Sequence, residues 1–86
     1  MKYACRVPGP RSRSIIARDQ GVVSPSYGRE HSFVYRKAKG VWLWDVDGRR
    51  YLDFAAGIAV MGVGHSNPQV IKAIGEQLKK GLHAAF

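Results

Sequence analysis

With 86 residues the chain has room for one small domain, and a domain of that size buries only about 60–65 % of its unfolded surface, so stability on its own is marginal. Its 45 % apolar content excludes the polar, charge-dominated composition of a disordered chain. Fourteen Lys and Arg against six Asp and Glu leave a formal charge of +8, but the excess lies in the leader, apart from the aromatics that a nucleic-acid reader interleaves with its basic groups, so it reads as a solvated basic arm.

That leader, residues 1–18, carries Lys2, Arg6, Arg11, Arg13 and Arg18 without one acid. Its only cysteine, Cys5, is the only one in the chain, which rules out an internal disulfide and fits a reduced, cytoplasmic setting. Arg and Ser without acids faintly resemble a transit peptide, but Pro8-Gly9-Pro10 breaks an amphipathic helix there. No apolar run approaches the roughly 18 residues of a membrane span. Residues 1–13 are therefore expected to be irregular. Ser14 to Gln20 read as two helical turns, with Ser14 as cap and Gly21 as stop. Ser24-Pro25-Ser26-Tyr27-Gly28 reads as a turn or extended connector, because Pro25 disfavours helix at Ser24.

Two β-rich runs follow, Val41 to Val46 and Arg49 to Phe54, separated by Asp47-Gly48. Asp-Gly between such runs predicts a hairpin closed by a two-residue type I′ turn. In that register Asp45 faces Arg50, Trp44 faces Tyr51, Leu43 faces Leu52 and Trp42 faces Asp53. One face then holds Val41, Leu43, Leu52 and Phe54 with an Asp45–Arg50 charge pair, and the other holds Trp42, Trp44 and Tyr51. Phe33-Val34-Tyr35 is a candidate third strand. Large apolar groups on both faces require something to pack on them.

Ala55 to His65 is an apolar loop of small residues, with Gly57, Gly62 and Gly64 allowing close approach of another backbone or a ligand. Asn67 then caps a helix that Pro68 opens, with Val70, Ile71, Ile74, Leu78 and Leu82 on one stripe and Gly81 as stop. The chain ends on Phe86 with no closing residue. The two-faced hairpin and this apolar end both lead to the expectation that part of the fold lies outside these residues.

No phosphate-binding loop, zinc spacing or nucleophile elbow is present, and the three glycines lack the order of a dinucleotide motif. His31, His65 and His83 have no spacing for a shared metal, so each reads as structural or exposed. From the residues themselves the chemistry stops at a two-faced hairpin, a glycine-rich loop and an amphipathic helix.

The run from Gly40 through Val60, with Trp42-Leu43-Trp44-Asp45, Tyr51-Leu52-Asp53-Phe54 and Gly57-Ile58-Ala59-Val60, followed by Gly64-His65 and Pro68, resembles the opening of class III aminotransferases. These are the 4-aminobutyrate, acetylornithine and ornithine transaminases. Ala17-Arg18-Asp19 and Val23-Ser24-Pro25-Ser26-Tyr27 look most like the 4-aminobutyrate branch. The likeness implies an α+β fragment of a fold-type I enzyme whose full form is α/β. Its parts would be a basic leader and short helix over 1–20, an antiparallel hairpin and glycine-rich loop over 21–66, and a helix over 67–86 leading toward a large domain. It further implies pyridoxal 5′-phosphate as cofactor, an amino donor and a 2-oxo acid as small-molecule substrates, and a homodimer, with neither nucleic acid nor membrane as partner. Ile58 matches a position lining the substrate pocket, and Tyr27 falls near an aromatic that contacts substrate, although Gly28-Arg29 replaces the proline found in many members. Plain packing for Ile58 and a connector role for Tyr27 are the other readings. No catalytic, cofactor-binding or metal-ligating residue carries over, since the family's Schiff-base lysine, its partner aspartate and its phosphate loop belong to later parts of such enzymes. A non-catalytic paralogue that pairs with a full-length subunit, or a small basic nucleic-acid binder, are the alternative functions.

Overall fold

Strand pairing, helix capping and one left-handed turn account for nearly all of the backbone order in residues 7–85, which the computed structural model describes. Lys2, Cys5, Arg6 and Phe86, on which part of the sequence reading rests, lie outside the described residues. The elements in chain order are α1 (Pro10–Val22), β1 (Tyr35–Lys39), β2 (Trp42–Asp45), β3 (Arg50–Leu52), α2 (Ala56–Ala59) and α3 (Pro68–Leu78). The strands form one antiparallel sheet in the order β1-β2-β3. This α+β arrangement is the expected fold class.

The hairpin is present, but its register differs from the sequence expectation by one residue. Trp42 pairs with Leu52, Leu43 with Tyr51 and Trp44 with Arg50. The loop has three residues, Val46-Asp47-Gly48, instead of two. The Gly48 amide bonds the Asp45 carbonyl at 3.1 Å, and the Asp45 amide bonds the Arg49 carbonyl at 3.0 Å. Gly48 sits at φ +84°, the left-handed residue that completes a three-residue loop. The cause is Asp45, whose Oδ1 accepts from the amides of Asp47 and Arg49, both at 2.9 Å. Those bonds fold the chain back one residue earlier than Asp-Gly alone would.

A slip of one residue moves every side chain of a strand to the other face. Tyr51 therefore leaves the tryptophans. It shares a face with Leu43 and Asp45, donates from its hydroxyl to Asp45 Oδ2 at 2.8 Å and packs edge-on to Phe33 at 5.2 Å. The expected Asp45–Arg50 pair is replaced as well. Arg50 lies over the Trp42 ring at 3.9 Å, and Lys37 of β1 lies over Trp44 at 4.9 Å. Basic and aromatic groups thus interleave on this face, contrary to their separation along the sequence. Replacing Gly48 by Val places a β-branched residue at positive φ, and should weaken the hairpin by roughly 1–2 kcal/mol. Loss of Trp44–Arg50 cross-strand contacts in NMR would report it; retained contacts and unchanged stability would contradict this turn geometry.

The third strand lies further along the chain than expected. Of Phe33-Val34-Tyr35 only Tyr35 belongs to β1, which continues through Arg36, Lys37, Ala38 and Lys39, although the Val34 carbonyl still accepts from the Val46 amide at 3.0 Å. An irregularity between Tyr35 and Lys37 lets Ala38 face Leu43.

Helix α1 begins four residues before the expected start. Pro10 occupies its first turn, where a missing amide is harmless, and the cap comes from outside the helix. The carboxylate of Asp47, in the hairpin loop, accepts from the amides of Arg11 at 2.8 Å and Ser12 at 2.9 Å. A Cβ on Gly9 would lie 2.5 Å from Asp47 Cγ, so a side chain there collides with the cap. Gly21 lies within the helix instead of stopping it.

Helix α3 follows the sequence expectation except at its end: it stops at Leu78, so Leu82 of the expected stripe lies beyond it. Asn67 caps it through the amides of Gln69 (3.0 Å) and Val70 (3.3 Å), Pro68 opens it, and Gly81 follows its end at φ +115°. Its stripe is uncovered: Val70, Ile71, Ile74 and Leu78 are 42–56 % exposed. Among the described residues the only buried apolar residue is Ala38; Ser12 and Asp45 are the buried polar ones.

Candidate functional site

Among the described residues, the segment joining β3 to α3 contains the most unusual backbone. Ala56, Gly57, Ile58 and Ala59 have φ values of +50°, +63°, +64° and +62°, which makes α2 a single left-handed turn. Three of these residues carry a Cβ, and each pays roughly 1–2 kcal/mol in that conformation. A β-branched residue there is an outlier of the kind that persists where the surroundings over-determine it, commonly at ligand sites. The turn closes on itself through Ala59 to Ala55 at 2.9 Å and Val60 to Ala56 at 2.8 Å. Only Gly57 signals this conformation in sequence.

Ile58 projects from the turn and is 91 % exposed. Nothing among the described residues packs on it, as is also true of Phe54, which is 92 % exposed. Tyr27 lies elsewhere, in the turn after α1, where its amide bonds the Ser24 carbonyl at 3.0 Å and Arg29 stacks 4.7 Å from its ring centre. No hydrogen bond, ion pair or ring contact joins Tyr27 to Ile58 among the described residues. Arg29 also holds Asp19 of α1 through two bonds, at 2.8 and 3.1 Å. That exposed pair tethers the Tyr27 segment to α1 and weakens with salt. A cleft of about 340 Å³ between α1 and residues 29–35 is lined by Ile15, Ile16, Asp19, Arg29, Phe33 and Tyr35; neither Ile58 nor Tyr27 lines it.

Sequence reasoning missed a second feature beside the turn. Asp53 follows β3, its Oδ1 accepts from the amides of Ala55 (3.1 Å) and Ala56 (2.8 Å), and its Oδ2 meets His65 Nε2 at 2.5 Å. The His65 bond, and then the Ala56 amide, hold the Asp53 carboxyl below its ordinary value, so near neutrality the imidazole donates. Hydrogen bonding from Arg29 lowers Asp19 likewise. For Asp47, burial opposes ionisation, but the donors at the start of α1 and the charge of Arg49 outweigh it. Tyr51 is raised, by burial first and then by the Asp45 carboxylate.

The sign follows. The stability that the three depressed aspartates contribute is fully present above their unfolded value, near pH 4, and is lost as pH falls through their lower folded values. That of Tyr51 is present below about pH 10 and lost above it. Far-UV circular dichroism should therefore be flat from about pH 5 to 9 and lose α1 signal below pH 4. A loss centred near pH 6 would contradict this.

Among the described residues no group of three or more His, Cys, Asp and Glu is placed to hold a metal ion, and no helix is long and apolar enough to cross a membrane. Lys37, Lys39, Lys72, Lys79 and Lys80 are all exposed, and none is buried beside an aspartate. The described residues therefore do not fit pyridoxal phosphate: a Schiff-base lysine needs an enclosed setting, and none of the described lysines is enclosed.

The family model described as aminotransferase class-III matches residues 23–86. The chain is similar to 5-aminovalerate aminotransferase DavT of Pseudomonas aeruginosa, with 44 % identity over 75 residues, 87 % of this chain and 18 % of that protein. It is similar to 4-aminobutyrate aminotransferase GabT of Escherichia coli at 39 % identity over the same shares. Among solved structures it superposes on acetylornithine aminotransferase from Elizabethkingia anophelis with a TM-score of 0.73 and 30 % identity, covering 80 % of this chain and 18 % of that one. The chain spans about a fifth of the length of these relatives.

Proposed function

Because this chain belongs to the class III aminotransferase family, whose members use pyridoxal phosphate, we propose that it forms the N-terminal part of an enzyme moving an amino group from an ω-amino acid or diamine-type donor to a 2-oxo acid. Residues 21–66, from the last two residues of α1 onward, would be the small antiparallel unit of that enzyme, and residues 67–86 would lead into the cofactor domain. The observation that carries this reading is Ile58, held fully exposed on a strained left-handed turn. In the assembled enzyme it would line the donor's apolar portion and exclude water there. Tyr27, tethered to α1 through Arg29 and Asp19, would contribute an aromatic edge to the same pocket. The lysine and phosphate contacts must come from other residues, so the 86 residues alone would be inactive. Held by other residues of the assembled enzyme, the cofactor would supply an electron sink for the transfer. A homodimer acting in the cytoplasm completes the proposal.

The uncovered stripe of α3 would also suit a non-catalytic copy that pairs with a full-length subunit. One experiment separates the two. Residues 1–86 replace the matching segment of DavT, and the chimera is assayed with 5-aminovalerate, 4-aminobutyrate, ornithine and acetylornithine against 2-oxoglutarate. Transfer from an ω-amino acid or diamine donor is expected. A folded, cofactor-loaded chimera with no transfer would overturn the catalytic reading in favour of the pairing one.

A further inference from the structure

Asp53 and His65 are a hydrogen-bonded pair of largely covered side chains, 6 % and 14 % exposed, that the proposed function leaves without a task. They tie together the two ends of the loop that carries Ile58. At the near end, the Asp53 amide bonds the Val41 carbonyl at 2.8 Å, fixing this residue to the sheet. Its Oδ1 then takes the two amides that lead into the left-handed turn. At the far end, His65 exchanges both backbone bonds with Gly40, at 2.8 and 2.9 Å, and Ser66 Oγ donates to the Ala38 carbonyl at 2.6 Å. A Cβ on Gly64 would lie 3.3 Å from Gly40 Cα, so the loop end is seated closely on the sheet. The Asp53–His65 bond closes this circuit.

We propose that Asp53 and His65 are positioning residues for substrate recognition: their pair locks the left-handed turn Ala56–Ala59 to the sheet and so presents Ile58 to the amino donor. The proposal rests on the assignment of Ile58 to the substrate pocket. A run of four left-handed residues relaxes unless its surroundings hold it. Little packing holds this one, since Ile58 and Val60 are 91 % and 73 % exposed. Among the described residues Asp53 is the only side chain bonded to the amides at the start of the turn. Removing its carboxylate frees both amides and leaves the turn only its own Ala59–Ala55 and Val60–Ala56 bonds to hold it. The imidazole keeps the carboxylate aimed at those amides. Neither residue touches the donor; both act through Ile58.

The test uses the DavT chimera with Ile58→Ala, Asp53→Ala, Asp53→Asn, His65→Gln and the double variant Ile58→Ala/Asp53→Ala. Asp53→Ala should raise KM for 5-aminovalerate at least tenfold while kcat falls less than threefold and bound pyridoxal phosphate is unchanged. Asp53→Asn, which keeps the Oδ1 acceptor, should recover most of that loss. The double variant should be no worse than Ile58→Ala, because the two residues serve one contact. A crystal structure of the Asp53→Ala chimera should show Ile58 outside the left-handed region. If that variant does not fold, His65→Gln carries the same expectation at a smaller KM change. The proposal falls if Ile58→Ala raises KM while Asp53→Ala and His65→Gln do not, if the two losses add in full, or if Ile58 stays at positive φ without the carboxylate. An Ile58→Ala chimera with unchanged KM would instead remove the substrate role of Ile58 on which the proposal stands.

Discussion

Ile58→Glu in the DavT chimera is expected to lower kcat/KM for an ω-amino donor at least a hundredfold and to leave pyridoxal phosphate content unchanged. Ile58 stands free of its own chain, 91 % exposed, so the substitution disturbs no packing within these residues. Glutamate is not β-branched, so it tolerates the φ of +64° no worse than isoleucine does. The loss must then arise in the pocket. A carboxylate placed in an apolar lining without a partner is desolvated at a cost of several kcal/mol, and it repels the donor's own carboxylate. About 2.7 kcal/mol suffices for a hundredfold. Steady-state kinetics beside the cofactor absorbance separate the two effects. Unchanged kcat/KM would remove Ile58 from the substrate pocket.

The second large effect concerns the chain by itself. It should not unfold as a cooperative monomer. Ala38 is the only buried apolar residue among those described, whereas Leu52, Phe54, Ile71, Ile74 and Leu78 are each more than half exposed. Covering an aliphatic side chain is worth about 1.5–3 kcal/mol, so the bare stripe of α3 forgoes a large part of what a small domain needs to be stable. Sedimentation should show dimers or larger species, and calorimetry a broad or absent transition. A sharp transition in a proven monomer would show that these residues hold themselves together.

What the sequence revealed divides along the range of the interactions. Helix α3 was legible because Asn67, Pro68 and its stripe act within a few residues of one another. The hairpin was legible as a hairpin, but its register was not. Asp-Gly is compatible with a two-residue or a three-residue loop, and the choice fell to Asp45 bonding two amides beyond the strand end. The start of α1 was hidden because its cap, Asp47, lies 35 residues away from Ser12. The left-handed turn carries one glycine in four residues, too little to be read locally. The Asp53–His65 pair spans 12 residues without periodicity, and His65 alone looked like an isolated histidine. Ile58 was named only through family resemblance, and its exposure on strained backbone is the physical feature now beside that resemblance.

In the proposed role this chain supplies substrate-facing structure to a class III aminotransferase, and the cofactor lysine lies outside the described residues. The direct measurement is borohydride reduction of the isolated 86-residue chain after saturation with pyridoxal phosphate, followed by peptide mass mapping. Lys37 is engaged with Trp44, and Lys39, Lys72, Lys79 and Lys80 are exposed, so none of the described lysines is buried beside an aspartate. The expected result is scattered, substoichiometric pyridoxyl labelling spread over several lysines, with no amino transfer. A single lysine carrying one pyridoxyl group per chain would contradict the claim and place the cofactor site within these residues.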